Sequence, residues 1–413
     1  EDLLCFDMGG TTAKACFIEH GEPKRSAAFE VARVFRFAEG SGLPLQIPAI
    51  DMIEIGAGGG SIARVDRLGL IQVGPDSASA MPGPVCYGLG GKDPTVTDAD
   101  LVLGYLDPGS FLGGEMRLDC ESAAMAIAKR LAEPLGISIE KAAWGIHETV
   151  TGNMAQAAAI HAIEKGLNVE KFTLVPIGGA GPVHVCAMAR KMGIDRLICP
   201  VGAGVASAVG MLGAPISFEV AQAHMSRLDT VDWPEVTQMV NRMAAQGEEL
   251  VRHAGVGLED ITINVTIMMR YVGQGYEVEV PVDRAWMRDG NAAAVAQSFA
   301  ESYQRRFNRT EAMPAETISW RVITSGPRPN LGDTLRSDAA ATDGAAQLGR
   351  RLVWFDLDKN YLDTPVYDRS VLTAGTEIEG PAILEEVEST LVLPPDFSGY
   401  VDDGLNFVAV RHS

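Results

Sequence analysis

The stretch Leu3-Leu4-Cys5-Phe6-Asp7-Met8-Gly9-Gly10-Thr11-Thr12 constrains this chain more than any other. An apolar run enters a turn of two glycines and two threonines, and a second apolar run at 13–18 leaves it, so two strands meet at a tight connection. The glycines permit positive φ and leave the backbone bare. Amide N–H groups in such a turn can approach a phosphate, with the Thr11 and Thr12 hydroxyls as further donors. Asp7, at the strand end, is placed to orient Mg²⁺ or water. A hairpin that uses Gly-Gly only to reverse direction satisfies the same residues.

Two further glycine loops lie in the same region. Gly178-Gly179-Ala180-Gly181-Pro182 follows an apolar strand at 172–177 and opens a helix through 183–191, which puts helix-dipole N–H groups beside any ligand. Pro182 at the first helical position also suits a purely structural helix start. The loop is not a GxGxxG fingerprint, and Asp195 begins its strand instead of ending it, which argues against a dinucleotide fold. Gly56-Ala57-Gly58-Gly59-Gly60-Ser61 is the densest glycine cluster and implies close backbone packing, a ligand, or a flexible surface turn. Three such loops in one α/β region point to a phosphoryl-group site.

Residues 1–215 read as α/β, with strands at 3–7, 13–18, 28–36, 51–55, 172–177 and 195–199. A long helix from Ile139 to about Lys165 repeats Ala143, Ile146, Val150, Met154, Ala157 and Ala158 at helical spacing and stops at Gly166. A shorter one covers about 119–132. Residues 216–335 change to α+β, with helices near 233–255 and 292–307 and strands at 261–270, 276–282 and 316–324. Residues 336–350 read as a linker, and 351–413, rich in short strands and Pro/Gly turns, as a small β domain.

With 54 acidic against 34 basic residues the formal charge is −20, which argues against nucleic acid or an anionic membrane surface as the main partner. It does not exclude ATP, whose phosphates can be held by backbone N–H groups and Mg²⁺. The six cysteines form no CxxC pair and read as reduced thiols in a cytoplasmic protein. No apolar stretch reaches the roughly 20 residues of a membrane span. A chain that opens on Glu1-Asp2 and runs straight into a strand is expected to follow an upstream lobe.

Among single side chains, Asp7 is the first choice for a catalytic, metal- or water-orienting carboxylate, against a turn-capping role. Asp98 and Asp100 follow Thr95-Val96-Thr97 and precede a short helix, so Asp98 is either a helix cap or a catalytic acid. His184, just past the second loop, is either a general acid/base or a helix-packing histidine. Asn153 and Gln156 on the long helix face either a nucleotide or another helix.

Taken together the chain resembles the hydantoinase A/oxoprolinase family, which includes the ATP-using subunits of N-methylhydantoinases, 5-oxoprolinases and acetone and acetophenone carboxylases. The resemblance runs through Asp7 to Thr11, Ile55 to Ala63, Val73-Gly74-Pro75, Pro82-Gly83-Pro84 with Cys86-Tyr87-Gly88, and Pro94 to Asp100. It continues through Phe111 to Gly114, Gly178 to Pro182 with His184, and Arg270 to Tyr276. It implies an actin/sugar-kinase-like (ribonuclease H-like) ATPase lobe, with Gly9, Gly10, Thr11 and Thr12 in a second phosphate loop, Gly58, Gly59 and Gly60 beside it, and Gly178, Gly179, Ala180 and Gly181 in an adenosine loop. A first phosphate loop would belong to the upstream lobe, so this chain by itself would be catalytically silent. The resemblance further implies ATP with Mg²⁺ or Mn²⁺ at Asp7, a hydantoinase B-type partner subunit, and phosphorylation of a carbonyl oxygen. The substrate would be a cyclic amide or a ketone enolate, with bicarbonate also phosphorylated in the carboxylases. Thr12-Ala13-Lys14 and Ala80-Met81-Pro82 depart from the family pattern, and Lys14 either replaces a metal-bridging carboxylate by direct charge or points to solvent. A small-molecule kinase of the same fold, or a nucleotide-incompetent structural subunit, uses the same residues.

Overall fold

The computed structural model describes residues 2–26, 29–31, 43–45, 49–330, 346–355 and 360–412. The chain divides into two compact units, Glu1–Val209 with Thr334–Ser413, and Gly210–Asp333.

The first unit is α/β. Its centre is β1 (Leu3–Met8), antiparallel to β2 (Ala13–Glu19), which in turn pairs with β3 (Met52–Ile55). Alternation along β1 sends Leu4, Phe6 and Met8 into the core and leaves Asp7 on the half-buried face. The glycine cluster after β3 leads into a hairpin of β4 (Ser61–Val65) and β5 (Ile71–Ser77), followed by α1 (Val96–Val102). The long helix α2 (Ile139–Glu164) starts at the Ser138 cap and ends before Gly166, whose φ of 69° fits the left-handed C′ position. Its buried stripe of Ala143, Ile146, Val150, Met154 and Ala158 packs into the same core as β1 and β2. Full burial of each large member of that stripe is worth about 1.5–3 kcal/mol. β6 (Thr173–Ile177) lies parallel to β1 and leads through the second glycine loop into α3 (Gly181–Met192) and then β7 (Arg196–Cys199), parallel to β6. This mixed α/β arrangement, one antiparallel and one parallel neighbour around β1, is the actin/sugar-kinase-like lobe that the sequence implies.

The second unit is α+β. β8 (Ser217–Arg227), α4 (Trp233–His253), β9 (Thr262–Tyr271), β10 (Val278–Val282), α5 (Ala292–Phe307) and β11 (Ala315–Ser325) form an antiparallel sheet in the order β8-β11-β9-β10. Trp320 is fully buried in its core with Val236, Val240, Val295 and Phe299 from the helices.

The C-terminal region is made of strands, as its Pro/Gly turns suggest, but it does not stand apart. β12 (Gln347–Phe355), β13 (Asn360–Asp368), β14 (Glu377–Glu379), β15 (Ala382–Glu385), β16 (Thr390–Leu393), β17 (Phe397–Val401) and β18 (Phe407–Arg411) belong to the first unit. β18 pairs antiparallel with β7 and covers an edge that would otherwise expose unpaired backbone groups, and β17 and β14 extend the sheet beyond it. The expected separate β domain is corrected accordingly. Of the expected linker, 336–345 lies outside the described residues and Gln347 already begins β12. Of the expected strand at 28–36, Phe29–Val31 is a strand and the rest lies outside the described residues. All six cysteines are free thiols. Among the described residues no helix is long and apolar enough to cross a membrane.

Candidate active site

Asp7 of β1 stands opposite Ile177 of β6 in parallel register, so the turns that follow the two strands meet. At Gly178, φ is 81° and a Cβ would overlap the Asp7 carboxylate and the Met8 carbonyl, so only glycine fits. The Gly178 amide donates to Ala203 O at 2.8 Å and the Ala180 amide to Met8 O at 3.0 Å, which fastens the second loop to the first.

The 56–61 cluster is mainly scaffolding for that junction. Gly59 donates to Gly9 O at 3.0 Å and Gly60 to Gly10 O at 2.6 Å. A Cβ at Gly58 would sit 2.6 Å from Thr11 N, and one at Gly60 would sit 2.9 Å from Gly10 O. Of the three glycines only Gly59 borders the cavity described below. Gly9 and Gly10 differ, because nothing lies within 4 Å of where their Cβ atoms would be. The amides of Gly10, Thr11, Gly179 and Gly181 find no acceptor among the described residues, and the last of these opens α3. Open space beside two joined loops whose amides lack acceptors, one of them at a helix start, fits a phosphate group.

A cavity of about 190 Å³ adjoins Gly9, Gly10, Gly179 and Ala180. Its apolar wall comes from Tyr87, Leu106, Phe111, Leu112, Val183 and Val387, and its carboxylates are Asp100, Asp107, Glu385, Glu386 and Glu388. Asp100 is 3% exposed. Its Oδ1 is 2.9 Å from His147 Nδ1, and its Oδ2 is 3.3 Å from His184 Nε2, which lacks the alignment of a hydrogen bond. His184 Nδ1 reaches Thr151 Oγ1 at 3.1 Å. Burial opposes ionisation of Asp100, but the charge and close approach of His184 and the bond from His147 outweigh it and hold its carboxyl down at about 2. Burial, with the charge of His184 second, pushes His147 below the usual histidine range. These three groups are close enough to share a metal ion. The two rings, however, stack at 4.4 Å and 19° from parallel, and an ion cannot lie in both ring planes at once, so the cluster fits hydrogen bonding and not metal ligation.

The three catalytic candidates therefore part ways. Asp98 is fully buried and occupied: Oδ2 accepts from Thr95 N and Thr95 Oγ1, both at 2.8 Å, and from Val85 N at 3.2 Å, while Oδ1 accepts from Cys86 N at 2.7 Å. It closes a capping box at the start of α1 and anchors the 85–86 turn, contacts that fit the helix-cap alternative. His184 is fully buried and is not among the cavity's lining residues, and it neighbours Asp100, which is. Asp7 sits at the junction of the two loops with Ser207 Oγ 3.5 Å from Oδ2. Lys14 donates to Thr12 Oγ1 at 2.6 Å and lies 4.0 Å from Glu54, so its charge braces the turn. Asn153 and Gln156 line a separate groove with Ile71 and Gln72 of β5.

Sequence reasoning passed over Asp100, His147 and Thr151 as a unit. His147 and Thr151 share a face of α2 at a four-residue spacing among apolar positions, which is the one local signal of a buried polar pair. Arg351 and Arg369, which hold the cavity's acidic side and also reach Gly104 and Cys199, 247 and 170 residues away in sequence, gave no signal at all.

The profile described as hydantoinase/oxoprolinase matches residues 1–220, and the profile of the hydantoinase/oxoprolinase C-terminal domain matches residues 228–409. An uncharacterised protein of Methanocaldococcus jannaschii is 36% identical over 97% of this chain and 57% of its own length. Caprolactamase subunit alpha of Pseudomonas jessenii is 33% identical over 98% of this chain and 58% of its own length. The crystal structure of the ATP-dependent caprolactamase from the same organism superimposes with a TM-score of 0.74 at 31% identity, covering all of this chain and 59% of that one. A nucleotide-free acetone carboxylase, solved in a study of ATP-dependent acetone carboxylation, gives a TM-score of 0.81 at 25% identity over 99% of this chain and 58% of that one. The chain thus spans under two thirds of the length of these relatives.

Proposed function

The chain belongs to the hydantoinase/oxoprolinase family, and on that premise we propose that it carries a phosphate-binding half-site of an ATP-dependent enzyme complex that phosphorylates a carbonyl oxygen. The observation that carries this reading is that the amides of Gly10, Thr11, Gly179 and Gly181, in two loops that meet, find no acceptor among the described residues, while open space lies beside Gly9 and Gly10. Those donors are fixed before any ligand arrives, so they meet the charge of a transferring phosphoryl group without reorganisation. Thr12 lies beside them, with its hydroxyl already accepting from Lys14.

Asp7, a half-buried carboxylate at the loop junction, would hold Mg²⁺ or Mn²⁺, and the ion when bound would neutralise phosphate charge. Gly178 leaves that carboxylate room, because any side chain there would overlap it. The apolar wall next to the loops receives the body of a small carbonyl compound and excludes water from the reacting oxygen. Phosphorylation of an amide oxygen converts a poor electrophile into one with a leaving group, and a hydantoinase B-type subunit completes ring opening or carboxylation. Relatives named for a lactam hydrolase and a ketone carboxylase support the common phosphorylation step and leave the second step to the partner.

The test is ATP turnover by the protein as its gene encodes it, together with its hydantoinase B-type subunit, against lactams, hydantoins and ketones with and without bicarbonate. Substrate-stimulated ATP hydrolysis is expected. A stable phosphorylated product would point to a kinase, and absence of any ATP or ADP affinity would make the chain a structural subunit.

A further inference from the structure

The cavity beside the glycine loops has a one-sided charge. Its described lining holds the carboxylates of Asp100, Asp107, Glu385, Glu386 and Glu388 and no lysine or arginine. Two guanidiniums stand behind this wall, and both are used up there. Arg351 bonds Glu385 and the carbonyls of Gly104 and Tyr105, each of these carbonyls at 2.7 Å, and lies 3.7 Å from Asp107. Arg369 donates to Glu386 at 2.8 Å, to Pro200 O at 2.9 Å and to Cys199 O at 2.7 Å. Five carboxylates against two guanidiniums leave an excess of three negative charges, and protonation of one of the two histidines at Asp100 would still leave two. Glu388 makes no ion pair among the described residues.

Among the described residues the lining offers only the loop amides as positive potential, and on the proposed function those amides, with the ion at Asp7, are taken by the nucleotide phosphates. A substrate carboxylate placed against the apolar wall would then meet like charges, with no lysine or arginine of the described lining to pair with. An uncharged carbonyl compound loses nothing there. Resting on the phosphorylation reading above, we infer that this cavity selects an uncharged cyclic amide or ketone with an apolar flank and rejects analogues that carry a carboxylate next to the reacting carbonyl. Glu388 is the specificity-determining residue that can be changed with least disturbance, because it is exposed on the β15–β16 turn.

A matched pair tests this: 5-oxoproline and its primary amide, which share ring, size and shape and differ by one charge. Binding of each to the full complex is measured by calorimetry with a non-hydrolysable ATP analogue bound, and binding of that analogue is measured separately. The amide is expected to bind at least tenfold more tightly at low salt, with the gap narrowing severalfold as ionic strength rises and in Glu388→Gln. Equal or reversed preference overturns the inference, as does a preference that neither salt nor Glu388→Gln reduces, or failure to bind either compound. Loss of analogue binding in the unaltered complex would overturn the proposed function itself, so the two failures are distinguishable.

Discussion

The imidazoles of His147 and His184 lie face to face, 4.4 Å between centroids, and each directs a ring nitrogen at a different oxygen of Asp100. This buried cluster fixes the carboxylate that floors the cavity, and it sets how the fold responds to acid.

His147 is held below the ordinary histidine range of about 6.5, so below that pH the unfolded chain binds a proton that the folded one refuses. Asp100 is held at about 2, so between roughly pH 4 and pH 2 the unfolded chain again takes up the extra proton. Both groups therefore make stability fall as pH drops, first through the histidine window and then through the carboxylate window, the latter by about 2 kcal/mol. His147→Gln should flatten the upper limb and make the lower one shallower but not abolish it, because His184 still holds the Asp100 carboxyl down. Chemical-denaturation midpoints near pH 7.5, near pH 5 and near pH 3 check this, and an unchanged upper limb in the variant would show that another group governs it.

The two kinds of glycine at the loops should separate under substitution. Gly10 has open space at its Cβ position and no left-handed φ, so Gly10→Val should leave the melting midpoint within the roughly 0.5 kcal/mol of a surface change. Nucleotide affinity should nonetheless fall at least tenfold, because the added methyls fill the cradle. Gly58→Ala puts a Cβ 2.6 Å from Thr11 N and should cost about 1–3 kcal/mol of stability before any ligand is considered. Thermal melts and nucleotide titrations of the two variants, side by side, would expose a purely structural Gly10 at once.

Much of this architecture is legible in the sequence because it rests on local patterns. The alternation of Leu4, Phe6 and Met8, the stripe from Ala143 to Ala158, and the punctuation at Pro182 and Gly166 each specify an element from its own residues. The helices Trp233–His253 and Ala292–Phe307 fall where apolar spacing puts them. What stayed hidden depends on pairing across long separations. Nothing in Phe407–Arg411 announces that it will hydrogen-bond Arg196–Cys199 and complete the first unit's sheet. The glycine loops were recognisable by composition, but only the packing around each one tells a glycine that leaves room for a ligand from one that lets two backbones touch. Asp98 and Asp100 look alike in sequence, and about half a turn of helix directs the first at backbone amides and the second at two histidines.

That difference gives a third prediction. Asp98 accepts from the amides of Val85, Cys86 and Thr95 and from the Thr95 hydroxyl, and an amide side chain in its place turns a donor toward donors. Asp98→Asn should therefore lower stability by about 2–4 kcal/mol, with activity lost in proportion to unfolding. Asp100→Asn should impair ligand binding in protein that remains folded at neutral pH. Circular-dichroism melts paired with turnover at a temperature where both variants are folded decide the point. Full stability with no turnover in Asp98→Asn would favour the catalytic reading.

The C-terminal region is tied to the cavity through Arg369, whose side chain is 3% exposed and which bonds Glu386 Oε1 at 2.8 Å. Glu386 in turn accepts from Gly202 N at 3.3 Å and from Ser389 Oγ at 3.0 Å, so one carboxylate links the β15–β16 turn to the segment after β7. Removing the guanidinium leaves a buried charge without its partner, which typically costs about 3–5 kcal/mol, whereas removing both charges costs far less. Arg369→Met should accordingly be severely destabilised, and Arg369→Met with Glu386→Gln should recover most of the loss. Because Glu386 and Ser389 border the cavity, the single variant should also weaken ligand binding in whatever fraction stays folded, while the double variant should bind more tightly than the single one. A double-mutant cycle in urea with a binding isotherm at each corner measures both quantities, and additive single-site losses would show that the pair acts as two independent contacts and not as the clasp the geometry describes.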